Sequence, residues 1–216
     1  MAVDMRIASL SSTMIKRPKL EDAARRYLRK IDLGEVYGCK VGFRDSVGMK
    51  GRARLDYYEQ TAEKIYAIKD HARSAHILLA QIADNAVANR NRIRISLDPI
   101  NTECLDAVLF EESSTLFLAM SESEIEKYGH KIVGKINMKR FALRDGVRMQ
   151  KAEMKDDVRL YEGLLDSAKE RLAAAGDAHF ELEKIYGECM DFEALESFSR
   201  SFAARVCDEL GKNVKP

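Results

Sequence analysis

The stretch KIYAIKDHARSAHILLAQIADNAVANRNRIRISLDP, Lys64 to Pro99, decides the fold class of this chain. Its apolar run Ile65–Ile68 is short enough and β-branched enough to predict a strand. From Ser74 to Asn89 the residues Ile77, Leu78, Ile82, Ala86 and Val87 fall on one face of a helix, which Asn89, Arg90 and Asn91 end. RIRISL then sets Ile93, Ile95 and Leu97 against Arg92, Arg94 and Ser96, the alternation of a second strand. The order is strand, tight loop, helix, strand. Between Lys69 and Ile77, where the chain turns from strand to helix, there is no glycine.

The same alternation continues outward. AVLF and TLFLAM are two short apolar strands separated by EESS, and HKIVGKI is a weaker strand. On the amino-terminal side, after a short opening segment, Pro18 stands where a first-turn proline belongs. It precedes KLEDAARRYLRKI, whose Leu20, Ala24, Tyr27, Leu28 and Ile31 share one helical face. Val36 to Phe43 reads as a strand interrupted by Gly38 and Gly42, RDSVGMKGRA as a loop, and LDYYEQTAEK as a short amphipathic segment. Strands alternating with helices predict an α/β domain with a mainly parallel sheet, running over 51–137 behind an N-terminal helix and strand extension over 1–50.

From residue 138 onward the pattern changes. Met154, Val158, Tyr161, Leu165, Ala168, Leu172, Ala175, His179, Leu182, Tyr186 and Cys189 step by alternating intervals of four and three, a heptad stripe on a long helix. Gly176 and Asp177 are the expected place for a kink or break. A second helix over Phe192–Leu210, with Asp191 as its N-cap, carries Leu195, Phe198, Phe202, Val206 and Leu210. The two are expected to form an antiparallel helical hairpin over 138–216, packed on the body or on another subunit.

Composition narrows the function classes. With 36 Lys and Arg against 35 Asp and Glu, the net charge of +1 supplies no field for nucleic acid or an anionic membrane. Cys39, Cys104, Cys189 and Cys207 form no CxxC pair, which suits reduced thiols in a cytoplasmic protein. The start MAVDMRIASLSSTMIKRPK lacks the apolar centre of a secretory signal, and no run of about 18 apolar residues exists to span a bilayer.

The turn after Ile65–Ile68 is where a phosphate-binding loop would sit. Such a loop needs glycines so that backbone N–H groups can approach phosphate, a lysine to neutralise it and a hydroxyl for magnesium. Against the pattern G-x-x-x-x-G-K-[ST] this chain offers Asp70, Ala75, His76 and Ile77. Asp70 repels phosphate, His76 is mostly neutral at pH 7, and Ile77 cannot ligate magnesium. The helix N-terminus, with Arg73 and His76 beside it, could still attract an anion weakly.

The series GRARLDYYEQTAEKIYAIK, LLAQIADNAV and IRISLDPINTECLDAVLFEESSTLFLAM resembles one half of a sporulation-associated family of P-loop ATPase-like proteins with two tandem nucleotide-binding halves. The resemblance covers about residues 51–210, including Ser96–Pro99 at a strand end, the phrase Leu105-Asp106-Ala107-Val108 and the helical tail. It implies a P-loop-NTPase-like fold. The missing loop residues imply that hydrolysis is lost, with no cofactor or at most a weakly bound nucleotide at Asp70, Arg73, Ala75, His76, Ile77 and Asp98.

Other groupings have plainer readings. Asp98 either serves a strand-end site or caps an Asp-Pro turn. Asp106, Glu111 and Glu112 could hold magnesium, but two loop glutamates are ordinarily solvated. His71 and His76 with Asp70 lack a dense metal-ligand spacing, His179 belongs to the stripe, and His130 has no motif. Arg73, Arg90, Arg92, Arg94, Lys139 and Arg140 have no nucleic-acid signature around them. Three functions remain. The first is a non-hydrolysing P-loop relative serving regulation or assembly. The second is a nucleotide or phosphate-ester enzyme using Arg73, His76 and Asp98. The third is an interaction module that meets a protein partner or a second copy through its C-terminal helices.

Overall fold

The computed structural model describes residues 2–31, 37–71 and 73–213. The chain divides into two compact units, residues 1–171 and 172–216.

The first unit is built on a six-stranded sheet of β1 (Gly38–Phe43), β4 (Lys64–Lys69), β5 (Arg92–Leu97), β6 (Leu105–Phe110), β7 (Thr115–Ala119) and β8 (Ile132–Asn137). Their order is β1-β5-β6-β7-β4-β8. β1 pairs with β5 in parallel, and β4 pairs in parallel with both β7 and β8. β6 is antiparallel to both its neighbours, so the sheet is parallel apart from this one strand. The short EESS link explains the exception: it is too short for a crossover, so the strands it joins must lie antiparallel. Because β1 is an edge strand of the sheet, the segment read as an N-terminal extension contributes directly to the body.

Both faces of the sheet are covered, as the near-continuous apolar β4 requires. On one face α2 (Arg17–Leu28) and α4 (Ala75–Ala88) pack Leu20, Ala24, Leu78, Leu79, Ile82 and Ala86 against Ile68, Ile93, Val108, Phe110 and Phe117. On the other, α3 (Tyr57–Thr61) and α5 (Glu122–Lys127) bring Tyr58 and Ile125 onto Ile65, Ala67, Leu109, Leu116 and Leu118. α4 ends in a Schellman motif: the Arg90 N–H reaches Val87 O at 3.0 Å and the Asn91 N–H reaches Ala86 O at 2.9 Å. Arg90 pays for this with φ of 57°, a conformation that usually belongs to glycine.

Two segments differ from the sequence reading. RDSVGMKGRA, expected as a loop, folds as an antiparallel hairpin of β2 (Asp45–Gly48) and β3 (Gly51–Arg54). The strands are too short to show periodicity, and their pairing is held by Arg52 and Arg54 reaching back to Asp45 at 2.7 and 2.9 Å. The opening segment forms α1 (Ala2–Thr13). Its Ile7 packs with Met14 and Met154, and Val158 and Tyr161 join them. Arg6 pairs with Glu153 at 2.6 Å and with Asp157 at 3.0 Å. The early part of the heptad stripe therefore serves the body of the first unit.

α6 (Arg144–Cys189) is one continuous helix of 46 residues, and Gly176 and Asp177 do not interrupt it. With Met190 and Asp191 between them, α7 (Phe192–Asn213) follows. Asp191 caps it as expected, its Oδ1 accepting from the Ala194 N–H at 2.9 Å. The hairpin expectation fails in the second unit: packing of one stripe on the other would bury them, yet Leu182, Tyr186, Phe198 and Phe202 stand 46–62% exposed. Among the described residues, no helix is long and apolar enough to cross a membrane.

Candidate functional site

The parallel strands end together, and β4 delivers Asp70 to the turn that opens α4. There the Asp70 carboxylate folds into the turn. Its Oδ1 accepts hydrogen bonds from the backbone N–H groups of His71, Ser74 and Ala75 at 2.7, 2.9 and 2.9 Å. Free N–H groups at a helix start are what an anion binds. Here the anion is supplied by the chain itself.

The remaining residues read as a loop are held just as firmly. Arg73 takes φ of 52°, which turns its side chain onto Asp4 of α1, Nη1 to Oδ1 at 2.7 Å, and over the Tyr161 ring at 4.7 Å. Asp4 is 2% exposed, so the ion pair ties the turn to α1, and the contact with Tyr161 ties it to α6. Ala75 is buried, and Ile77 leans on the apolar layer between α4 and the sheet. His76 Nδ1 lies 2.8 Å from Arg73 O, and burial holds its pKa below the ordinary histidine value. It is a neutral, engaged ring.

Asp98, at the end of β5, caps its own turn. Its Oδ1 accepts from the N–H groups of Ile100 and Asn101 at 2.8 and 3.0 Å, which is the plain Asp-Pro reading. Asp106 approaches from the start of β6, and the Arg52 Nη2 lies 3.8 Å from both carboxylates. Burial first, and the Asp98 charge second, push the Asp106 carboxyl up to about 6. Burial also lifts the Cys104 thiol to about 12, so it is no nucleophile at neutral pH. These groups surround a cavity of about 70 Å³ lined by Asp4, Asp70, Arg73, His76, Asp98 and Asp106. That volume holds a few waters, whereas small-molecule sites run from roughly 300 to 1,000 Å³.

Sequence reasoning missed the charge network that braces this end of the sheet. Arg44, 2% exposed, meets Glu59 at 2.8 Å and Glu124 at 2.7 Å, and Arg54 reaches the same Glu124. Asp45 sits beneath Arg52 and Arg54. Burial alone would raise its carboxyl, but the Arg54 hydrogen bond and the neighbouring guanidinium charges outweigh this and hold it below the carboxylate range. The only linear signal is the run of arginines in GRAR, whose partners lie up to 70 residues away. Glu111, taken as a solvated loop charge, pairs with Arg92 at 2.7 Å and Arg94 at 3.0 Å, with Lys40 at 3.5 Å. Among the described residues no group of three or more His, Cys, Asp or Glu is placed to hold a metal. His71, His76 and Asp70 meet in the turn without forming one.

No protein-family model matches this chain, and neither curated proteins nor solved structures return a significant match.

Proposed function

We propose that this chain is a P-loop-like scaffold whose phosphate position is occupied from within, so that it does not hydrolyse nucleotide and acts in regulation or assembly. The observation that carries this reading is the Asp70 carboxylate, accepting from three turn and helix-start N–H groups where a phosphate would accept them. Two further features support it. β7, beside β4, ends in Ala119 and is followed by Met120, neither of which offers a carboxylate for magnesium. Ile77, in the place of the magnesium-holding hydroxyl, packs against the core. Kinship with the sporulation-associated tandem ATPase-like family is part of the same proposal and rests on the residue series quoted above.

The enzyme reading through Arg73, His76 and Asp98 finds little support, because each is engaged by Asp4, by a backbone carbonyl or by its own turn. Calorimetric titration with ATP, ADP and GTP, each with and without magnesium, tests the proposal. No heat of binding is expected at micromolar protein. Magnesium-dependent micromolar affinity that disappears in Asp70→Asn would overturn it.

A further inference from the structure

We infer that the second unit is a self-association module: the exposed apolar stripes of α6 and α7 meet those of a second copy of this chain in a four-helix arrangement. This names the partner for the assembly role proposed above, and it rests on that reading only for its biological purpose.

Spacing defines the face on each helix. At about 100° per residue, Leu195, Phe198, Phe202, Val206 and Leu210 fall within a stripe roughly 120° wide on α7, the width of a core-facing helix surface. Leu182 and Tyr186 continue the heptad stripe on α6. A helix with such a face gains its stability by burying it. Neither face is buried within the second unit. Twelve large apolar side chains between Leu172 and Leu210 remain 38–62% exposed. Phe198 and Phe202 already stack with ring centroids 6.1 Å apart, presenting one aromatic surface.

Area selects the occupant, and charge argues against an anionic lipid surface. At roughly 150–250 Å² for a large aromatic side chain, the exposed apolar surface is on the order of 1,000 Å² per chain. Two copies joined through it would bury about 2,000 Å², the size of a stable interface. Isolated exposed apolar residues are normal, but two helix faces this rich in exposed apolar side chains mark an association site. The segment Leu172–Pro216 has nine Asp and Glu against five Lys and Arg, a net of −4, in a chain of +1. An anionic lipid surface would be repelled by it. In a second copy, paired helices face one another with the same modest negative charge, which salt screens while the apolar contact persists.

Light scattering behind size exclusion, on the full chain at tens of micromolar, tests this directly. A mass near twice the 24.5 kDa of one chain is expected, unchanged or strengthened between 50 and 500 mM salt. Phe198→Asp with Phe202→Asp should shift the mass to one chain. Phe198→Ala, which adds no charge, should weaken the dimer at least tenfold while far-ultraviolet circular dichroism keeps its helical signal. A wild-type monomer would overturn the proposal: co-sedimentation with neutral phosphatidylcholine vesicles would point to a lipid surface, and its absence to a different polypeptide. A dimer that survives all three substitutions would overturn it as well. Nucleotide titration reads the Asp70 turn alone, so failure of either inference is seen separately.

Discussion

The Asp70 carboxylate lies 2.9 Å from the Ala75 N–H, and with the His71 and Ser74 N–H groups this contact occupies the donors at the start of α4. Asp70→Ala removes the acceptor of three N–H groups and should cost about 1–2 kcal/mol, read as a lower thermal midpoint. It should also restore an anion site, so that 10–20 mM inorganic phosphate raises the midpoint of the variant and leaves the wild type unchanged. Equal protection of both proteins would show that Asp70 does not hold the anion position.

Arg44 and Glu59 form an ion pair with both side chains 2% exposed or less. Removing one partner strands a buried charge. Arg44→Met is expected to cost roughly 3–5 kcal/mol in urea denaturation. Arg44→Met with Glu59→Gln should recover part of that loss, since no unpaired charge remains at Glu59. A single variant that loses less than about 1 kcal/mol would mean that water reaches Glu59 freely.

Asp106 predicts a dependence on pH. Its carboxyl titrates near 6 in the folded chain against an ordinary value of 3.8, so the native state keeps the proton longer than the unfolded one. Stability from this group is complete below pH 4, falls as pH rises through 6, and is flat above. The loss is on the order of 2–3 kcal/mol. Asp106→Asn should therefore raise the midpoint at pH 7.5 and make little difference at pH 4. The opposite ordering would show that Arg52 stabilises the ionised form enough to reverse the effect.

Gly134 on β8 faces the Tyr66 ring so closely that an added Cβ would lie 2.7 Å from it. Tyr66 is in turn stacked on Phe117, centroids 4.7 Å apart. Gly134→Ala must displace that stack and should destabilise by about 1–3 kcal/mol. Tyr66→Leu in the same background should relieve part of the cost, which a urea series on the wild type and both variants would reveal.

Arg90 gives the opposite sign. It holds φ of 57° as the C′ residue of α4, and its side chain makes no ion pair with a described residue. Arg90→Gly should stabilise by about 1 kcal/mol. A lower midpoint would mean that the arginine side chain contributes more than its backbone costs.

Much of the frame was legible because its signals are local. The apolar run Ile65–Ile68, the face through Leu78, Ile82 and Ala86, and the alternation of Ile93, Ile95 and Leu97 each declare their element within a few residues. The β2–β3 hairpin was not legible, since four-residue strands carry no period and their hold comes from Arg52 and Arg54 on Asp45. The site was half legible. The sequence marks Asp70 as a poor phosphate neighbour and Arg73 and His76 as weak anion attractors, but the internal partners of all three are invisible in it. Asp98 was read correctly as a possible turn cap because an Asp-Pro turn is set by its own neighbours.

The sequence by itself determined that strands and helices alternate around Lys64–Pro99, and that the phosphate-loop residues are missing. It also determined that a long heptad-striped tail follows. Tertiary structure alone decided what the Asp70 carboxylate does: whether it stands free or accepts hydrogen bonds at the helix start depends on where three backbone N–H groups point. It alone divided the stripe, burying Met154 beneath α1 across nearly 150 residues while leaving Leu182 and Phe198 in water. Periodicity says that a face is apolar, but the partner of that face is a non-local contact, and no local pattern encodes it.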